Sequence, residues 1–261
     1  MKKNPDEAVS TVIALMLILA IISTCIAVYT TTYVPGLKQQ SEIVHSEDVK
    51  YAFERFASDI DNIYSLQREG QFTEPLALGG GGVLLSPVRS SGTVEIENTS
   101  IGSVKIGSSD SIDISTVNIT YTPSYSSWEL QGFKYENGVV WITKGNKTTP
   151  SSLSLYTIAD GEKRENTTLS QWLSNIYVQT DGTGNATVII PTMYAGEANS
   201  VTGNANAILR VNASISDESM DLPDGSKLVI LDSNGTTLYS YTFSGKTNLT
   251  VQWLAIRVSV E

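Results

Sequence analysis

From Ala8 to Val34 the chain runs for 27 residues without a charged side chain. As a helix this stretch reaches about 40 Å, whereas a bilayer core of about 30 Å needs only about 20 apolar residues. An ordinary secretory signal is excluded, because its apolar region spans about 7–15 residues before a small-residue cleavage site. Tyr29, Thr30, Thr31, Thr32 and Tyr33 close the run. Tyrosines there set the ring in the apolar zone and the hydroxyl among headgroups. The segment reads as a transmembrane helix that stays on the protein. Lys2 and Lys3 precede it and favour a cytoplasmic N-terminus, a bias diluted by Asp6, Glu7 and Lys38.

The remaining sequence narrows the possible partners. Asp and Glu outnumber Lys and Arg by 27 to 17, which excludes nucleic acid, since such a partner needs clustered positive charge. Residues 1–69 carry six basic and nine acidic side chains, leaving eleven and eighteen for residues 70–261, so both parts are acidic. The one cysteine, Cys25, lies inside the apolar run. No intramolecular disulfide can form, and cysteine usage does not set the compartment. Apolar sequence also continues beyond Cys25, unlike a lipobox.

Residues 41–69 carry a second helical signal. Val49, Phe53, Phe56, Ile60 and Ile63 step by four, three, four and three, the spacing of a single apolar stripe. Glu47, Asp48, Glu54, Arg55, Asp59 and Asp61 fall on the other face. Such a stripe must cover something, either a neighbouring subunit's helix or the base of the chain's own outer domain. Pro35-Gly36 predicts a kink or break between the two helices, and Gly70 marks the end of the second. "LALGGGGVLLSP" then leads onward through Gly79 to Gly82, read as a hinge or tight bend. No Lys-Ser/Thr follows these glycines, so they do not cradle phosphate.

From residue 70 the pattern changes to short runs rich in Val, Ile, Thr and Tyr, punctuated by Gly, Asn, Asp and Pro. In "PDGSKLVILDSNGTTLYSYTFSG", strands Lys227–Leu231 and Thr236–Phe243 flank Asn234-Gly235, a strong hairpin signal. "WELQGFKYENGVVWITKG" repeats the design around Asn137-Gly138. "LTVQWLAIRVSV" is apolar on both faces, as in a strand buried within its domain. Residues 160–175 and 195–210 are ambiguous and admit short helices. The expectation is an α+β chain: a transmembrane helix, an amphipathic helical stem, and an all-β, sandwich- or jelly-roll-like outer domain.

Asn-X-Ser/Thr occurs at Asn98, Asn118, Asn146, Asn166, Asn185, Asn212, Asn234 and Asn248, and nowhere before residue 98. These residue types are common in β-turns in any case. Their excess over chance points to N-glycosylation, and hence to an exported domain. Catalytic signals are lacking. His45 is the single histidine, and no Gly-x-Ser-x-Gly and no twelve-residue calcium loop occurs. A lone histidine above a membrane reads as a surface residue, and Asp221 with Asp224, or Asp181 near Asn185, read as turn formers. No enzyme, cofactor or metal site follows from these residues. Carboxylate pairing for glycoside hydrolysis is a spatial matter that sequence does not decide.

The N-terminus resembles archaeal type IV pilin and archaellin precursors, whose short charged leaders end in a small residue before a Val-Ser-x-Val-Ile opening. The matching text is "KKNPDEA" followed by "VSTVIALMLILAI". The resemblance implies a class III leader, residues 1–8, cut by a prepilin-type peptidase between Ala8 and Val9. It implies a membrane or filament helix over 9–34, a stem over 35–69 and an extracellular domain over 70–261. The fifth residue of the mature helix would be Ile13, where bacterial members carry glutamate; archaeal members often lack it. "YVPGLKQQSEIVHSEDVKYAFERFASDI", "LALGGGGVLLSPVRSSGTVEIE" and "YENGVVWI" are similar to archaeal pilin-like surface proteins and imply no activity. The expected function is a membrane-anchored, cell-surface structural protein that assembles with copies of itself or other pilin-like subunits. The alternatives are a single-pass protein that never polymerises and displays its β domain for adhesion or ligand capture, and, less directly supported, an anchored hydrolase.

Overall fold

The computed structural model describes residues 5–80, 82, 83, 86, 89–151, 176 and 178–261, with side chains from Thr11 onward. Helix α1, Pro5–Val28, passes through a π turn, Tyr29–Tyr33, into helix α2, Val34–Leu66. Of the kink or break expected at Pro35-Gly36, the break is absent: the chain stays helical through both residues. Pro35 has no N–H to reach the Thr31 carbonyl, and its ring would crowd that carbonyl in a regular α-helix. The π turn absorbs the conflict by widening the preceding turn, with the Val34 N–H donating to the Tyr29 carbonyl. Nor does Gly70 end α2. Gln67 does so, in the left-handed conformation with φ 48°, and Gly70 opens the first strand.

Thirteen described strands follow: β1 Gly70–Ala77, β2 Ser91–Ile106, β3 Ile112–Ser124, β4 Gln131–Glu136, β5 Val139–Lys144, β6 Lys147–Pro150, β7 Val178–Thr180, β8 Asn185–Ala195, β9 Ser200–Gly203, β10 Asn206–Leu222, β11 Lys227–Asp232, β12 Thr237–Thr242 and β13 Thr247–Val260. Among the described residues they form one sheet in the order β1-β10-β13-β8-β7 and a second in the order β12-β11-β2-β3-β4-β5-β6, with β9 also on β2. The chain is therefore a long apolar helix followed by an all-β domain. Both Asn-Gly hairpins form. Asn137 and Gly138 take φ of 50° and 82°, a pair of left-handed residues that matches the right-handed twist of β4 and β5. Between β11 and β12 only Gly235 is left-handed, and the register shifts at Ile230/Leu231. The "LTVQWLAIRVSV" strand, β13, lies between β10 and β8 and runs parallel to β8. The stretch 195–210 is strand and turn rather than helix, and residues 160–175 lie outside the described residues.

The long strands change their buried face midway. On β13 the buried positions are Leu249 and Val251, then Leu254, Ile256, Val258 and Val260; on β3 they are Ile114 and Thr116, then Val117, Ile119 and Tyr121. The β13–β8 and β10–β13 registers continue without a shift. Successive side chains alternate sides, so a change of parity is a change of face. One continuous core thus lies on one face of the strands at the stem end and on the opposite face at the β11–β12 end.

α2 packs on β1 of the first sheet and on β4 and β5 of the second. Its stripe of Val49, Phe53, Phe56, Ile60 and Ile63 is at most 2% exposed. The Phe56 ring meets Tyr135 edge-on at 5.1 Å, and Phe53 lies 6.1 Å from Phe133. Of the two coverings the spacing allows, the chain uses its own β domain. Side chains this deeply buried have no surface left for a neighbouring subunit.

Candidate functional site

α1 stands clear of the folded domain. All described side chains from Thr11 to Val28 are exposed, and apolar residues occupy every face. It is a helix long and apolar enough to cross a membrane. Three hydroxyls, one in α1 and two in the π turn, are turned back onto the helix backbone. The Thr24 hydroxyl donates to the Ala20 carbonyl at 2.8 Å, Thr30 to Ile26 at 3.0 Å, and Thr31 to Ala27 at 2.8 Å. Each hydroxyl is satisfied within the helix, the arrangement a non-aqueous surrounding requires. The Tyr29 and Tyr33 rings stack at 6.2 Å where the run ends.

Above that point α2 is fastened to the β domain by polar groups that the spacing argument missed. Glu42 is 2% exposed. Its carboxylate accepts the Ser126 N–H at 2.8 Å, the Ser126 hydroxyl at 3.1 Å and the Ser127 N–H at 2.8 Å. His45, read as a surface residue, is only 4% exposed. The Tyr121 hydroxyl donates to the Leu78 carbonyl at 3.1 Å, so its oxygen accepts from His45 Nε2–H at 3.0 Å. The Tyr125 ring meets His45 edge-on at 5.9 Å. Gly92 makes room for this arrangement, since a Cβ there would collide with the Tyr121 ring and the Leu78 carbonyl. Burial lowers the imidazole pKa, against the opposing pull of Asp48, the Leu78 carbonyl and Glu42. Burial, with Tyr125 alongside, pushes the Tyr121 hydroxyl above the usual phenol range. His45 is thus a neutral donor in a hydrogen-bonded chain that ties α2 to β3 and to the Leu78 carbonyl. Farther along α2, Arg55 Nε donates to Glu74 Oε1 at 2.7 Å and the Ser151 hydroxyl donates to Glu54.

The signal for these residues was present in the sequence. Glu42, His45, Ser46 and Val49 continue the same three-and-four spacing backwards, but a search for apolar side chains passes over polar ones. Gly80, within the glycine run, lies against His45, so this part of the run is a close-packed approach.

Of the sequon residues, Asn98, Asn146, Asn185, Asn212, Asn234 and Asn248 are exposed. Asn118 is half-buried, and its amide donates to Thr99 Oγ1 at 3.1 Å. The Asn98 side-chain carbonyl accepts the Ala195 N–H at 2.7 Å. Asn166 lies outside the described residues, as do the side chains of Ala8 and Val9. Asp181 accepts from the Thr183 N–H at 2.7 Å, the Thr183 hydroxyl at 2.6 Å and the Asn185 amide at 2.7 Å. These bonds hold its carboxyl well below the usual range. Asp224 accepts the Gly245 N–H at 2.6 Å, and both aspartates serve their turns. Among the described residues no cluster of three His, Cys, Asp or Glu is placed to hold a metal ion. Comparison with family models, curated proteins and solved structures yields no match.

Proposed function

We propose that this is a type IV pilin-like structural protein of the cell surface. Its N-terminus is cytoplasmic, α1 spans the membrane, and the sandwich-like β domain is extracellular and carries glycans on its exposed sequon asparagines. A prepilin-type peptidase removes residues 1–8, and the freed helix exchanges lipid for α1 helices of copies or related subunits. The observation that carries this reading is α1 itself, a helix apolar on every face that projects from a domain needing none of it for its own core. Mass spectrometry of N-termini from native membranes and sheared surface material tests it. The expected start is Val9, and replacing Ala8 with a bulky residue blocks the cut. A chain that keeps Met1 in both fractions sinks the pilin assignment.

A second reading has its own observation. Because the stem stripe is consumed by the chain's own domain, that stripe is not open to a neighbouring subunit. A single-pass protein that displays its β domain without polymerising suits that economy of surface. Electron microscopy of the sheared fraction separates the two, since filaments containing this chain support the first reading and their absence the second.

A further inference from the structure

Where α2 leaves the π turn, a cleft of about 310 Å³ opens between the helix and the loop after β3. Thr30, Val34 and Lys38, four residues apart on one face, form its helix wall with Pro35, and Ser86, Ser126 and Ser127 complete the lining. We infer that this cleft binds the phosphate of an anionic phospholipid headgroup, with Lys38 as its counter-charge and the Ser127 hydroxyl as a further donor. The inference rests on the membrane reading of α1.

Three observations converge on it. The first is depth. With the hydrocarbon ending near Val28, residues 30–38 lie about 3–15 Å beyond it at about 1.5 Å per residue. The headgroup layer is about 5–8 Å deep on each side, and helix side chains lean back toward the N-terminus. The Lys38 ammonium is thereby lowered toward that layer. The second is charge. Lys38 is the first charged residue after Glu7. Among the described residues it makes no ion pair, only a 3.5 Å contact with Ser126 Oγ. The third is what its acidic neighbour does. Glu42, one turn farther along, already accepts three hydrogen bonds from Ser126 and Ser127 and makes no ion pair with Lys38. The ammonium keeps donors for an outside acceptor, and a phosphate oxygen is the acceptor abundant at that level.

The test uses the full chain in mixed phosphatidylglycerol and phosphatidylcholine micelles, with native mass spectrometry counting the lipid retained. The wild-type protein is expected to retain phosphatidylglycerol, and Lys38→Gln to lower its retention about fivefold, the effect of one basic side chain at an anionic surface. Lys38→Arg should preserve it. Lys50→Gln should leave it unchanged, because Lys50 lies outside the cleft and faces Glu54 at 3.7 Å. Ser127→Phe fills the cleft and gives the same loss as Lys38→Gln should that variant prove misfolded. Equal retention by wild type and both cleft variants overturns the site, as does an equal fall with Lys50→Gln. Displacement by soluble glycerol phosphate at matching concentration would reassign the site to free phosphate and overturn the lipid. Flotation with pure phosphatidylcholine vesicles keeps the two readings apart. Failure to float defeats the membrane span itself, whereas flotation without lipid preference defeats only the headgroup site.

Discussion

His45 and Asp61 sit on the same helix, and burial is the leading influence on both, yet acid acts on them in opposite directions. The folded chain holds His45 below its ordinary 6.5. The unfolded chain therefore takes up that proton first, and stability falls as pH drops through 6.5. Asp61 is pushed up to about 6 from 3.8. Here the folded chain binds the proton first, so stability rises as pH falls from about 6 toward 3.8 and is lost again as pH climbs through 6. Thermal unfolding of a fragment beginning at Val34 separates the two. His45→Gln should gain stability relative to wild type between pH 7 and pH 5. Asp61→Asn should be more stable than wild type at pH 7 and lose that advantage at pH 4. Parallel curves for all three proteins would contradict the burial seen at both residues.

At the scale of elements, α2 is the critical piece. Phe56 is 1% exposed and packed on Tyr135, so Phe56→Ala should lower the stability of the Val34 fragment by about 3–5 kcal/mol, read from denaturant midpoints. A change within error would mean the stripe is not seated on the β domain. This element was also the most legible one in the sequence. Val49, Phe53, Phe56, Ile60 and Ile63 announced their face by spacing alone, and Asn137-Gly138 announced a hairpin by its need for two left-handed residues. Other features were hidden for physical reasons. The seat of His45 depends on Tyr121 and Leu78, distant in sequence, and no local pattern encodes a contact of that separation. The continuity through Pro35 depends on a π turn, which proline's general tendency to break helices does not reveal. The change of buried face made β13 look apolar on both sides, which marked it as an interior strand but not as one serving opposite faces; β3 changes face in the same way.

Taken whole, the molecule divides its apolar surface unevenly. Of the large hydrophobic side chains left exposed among the described residues, eleven lie between Val12 and Val28, and Tyr33, Leu37, Val44 and Tyr51 continue along one face of the helix beyond them. Self-association and detergent dependence should accordingly reside in residues 1–33. A chain starting at Val34 should run as a monomer by gel filtration without detergent, while the full chain should require detergent to stay dispersed. A fragment that still forms oligomers of the full chain's size would move the association surface onto the β domain or stem.

The way α2 is fastened has a mechanical consequence. Glu42, His45, Arg55 and Ile63 hold the helix to the β domain over 21 residues, about 32 Å of axis. A pull on α1 along that axis loads these attachments together, in shear, rather than one after another as in peeling. The backbone stays helical from α1 through the π turn into α2, so no loop intervenes between the point of pulling and the seam. A domain fastened this way yields to a pull on α1 only when the whole seam gives at once.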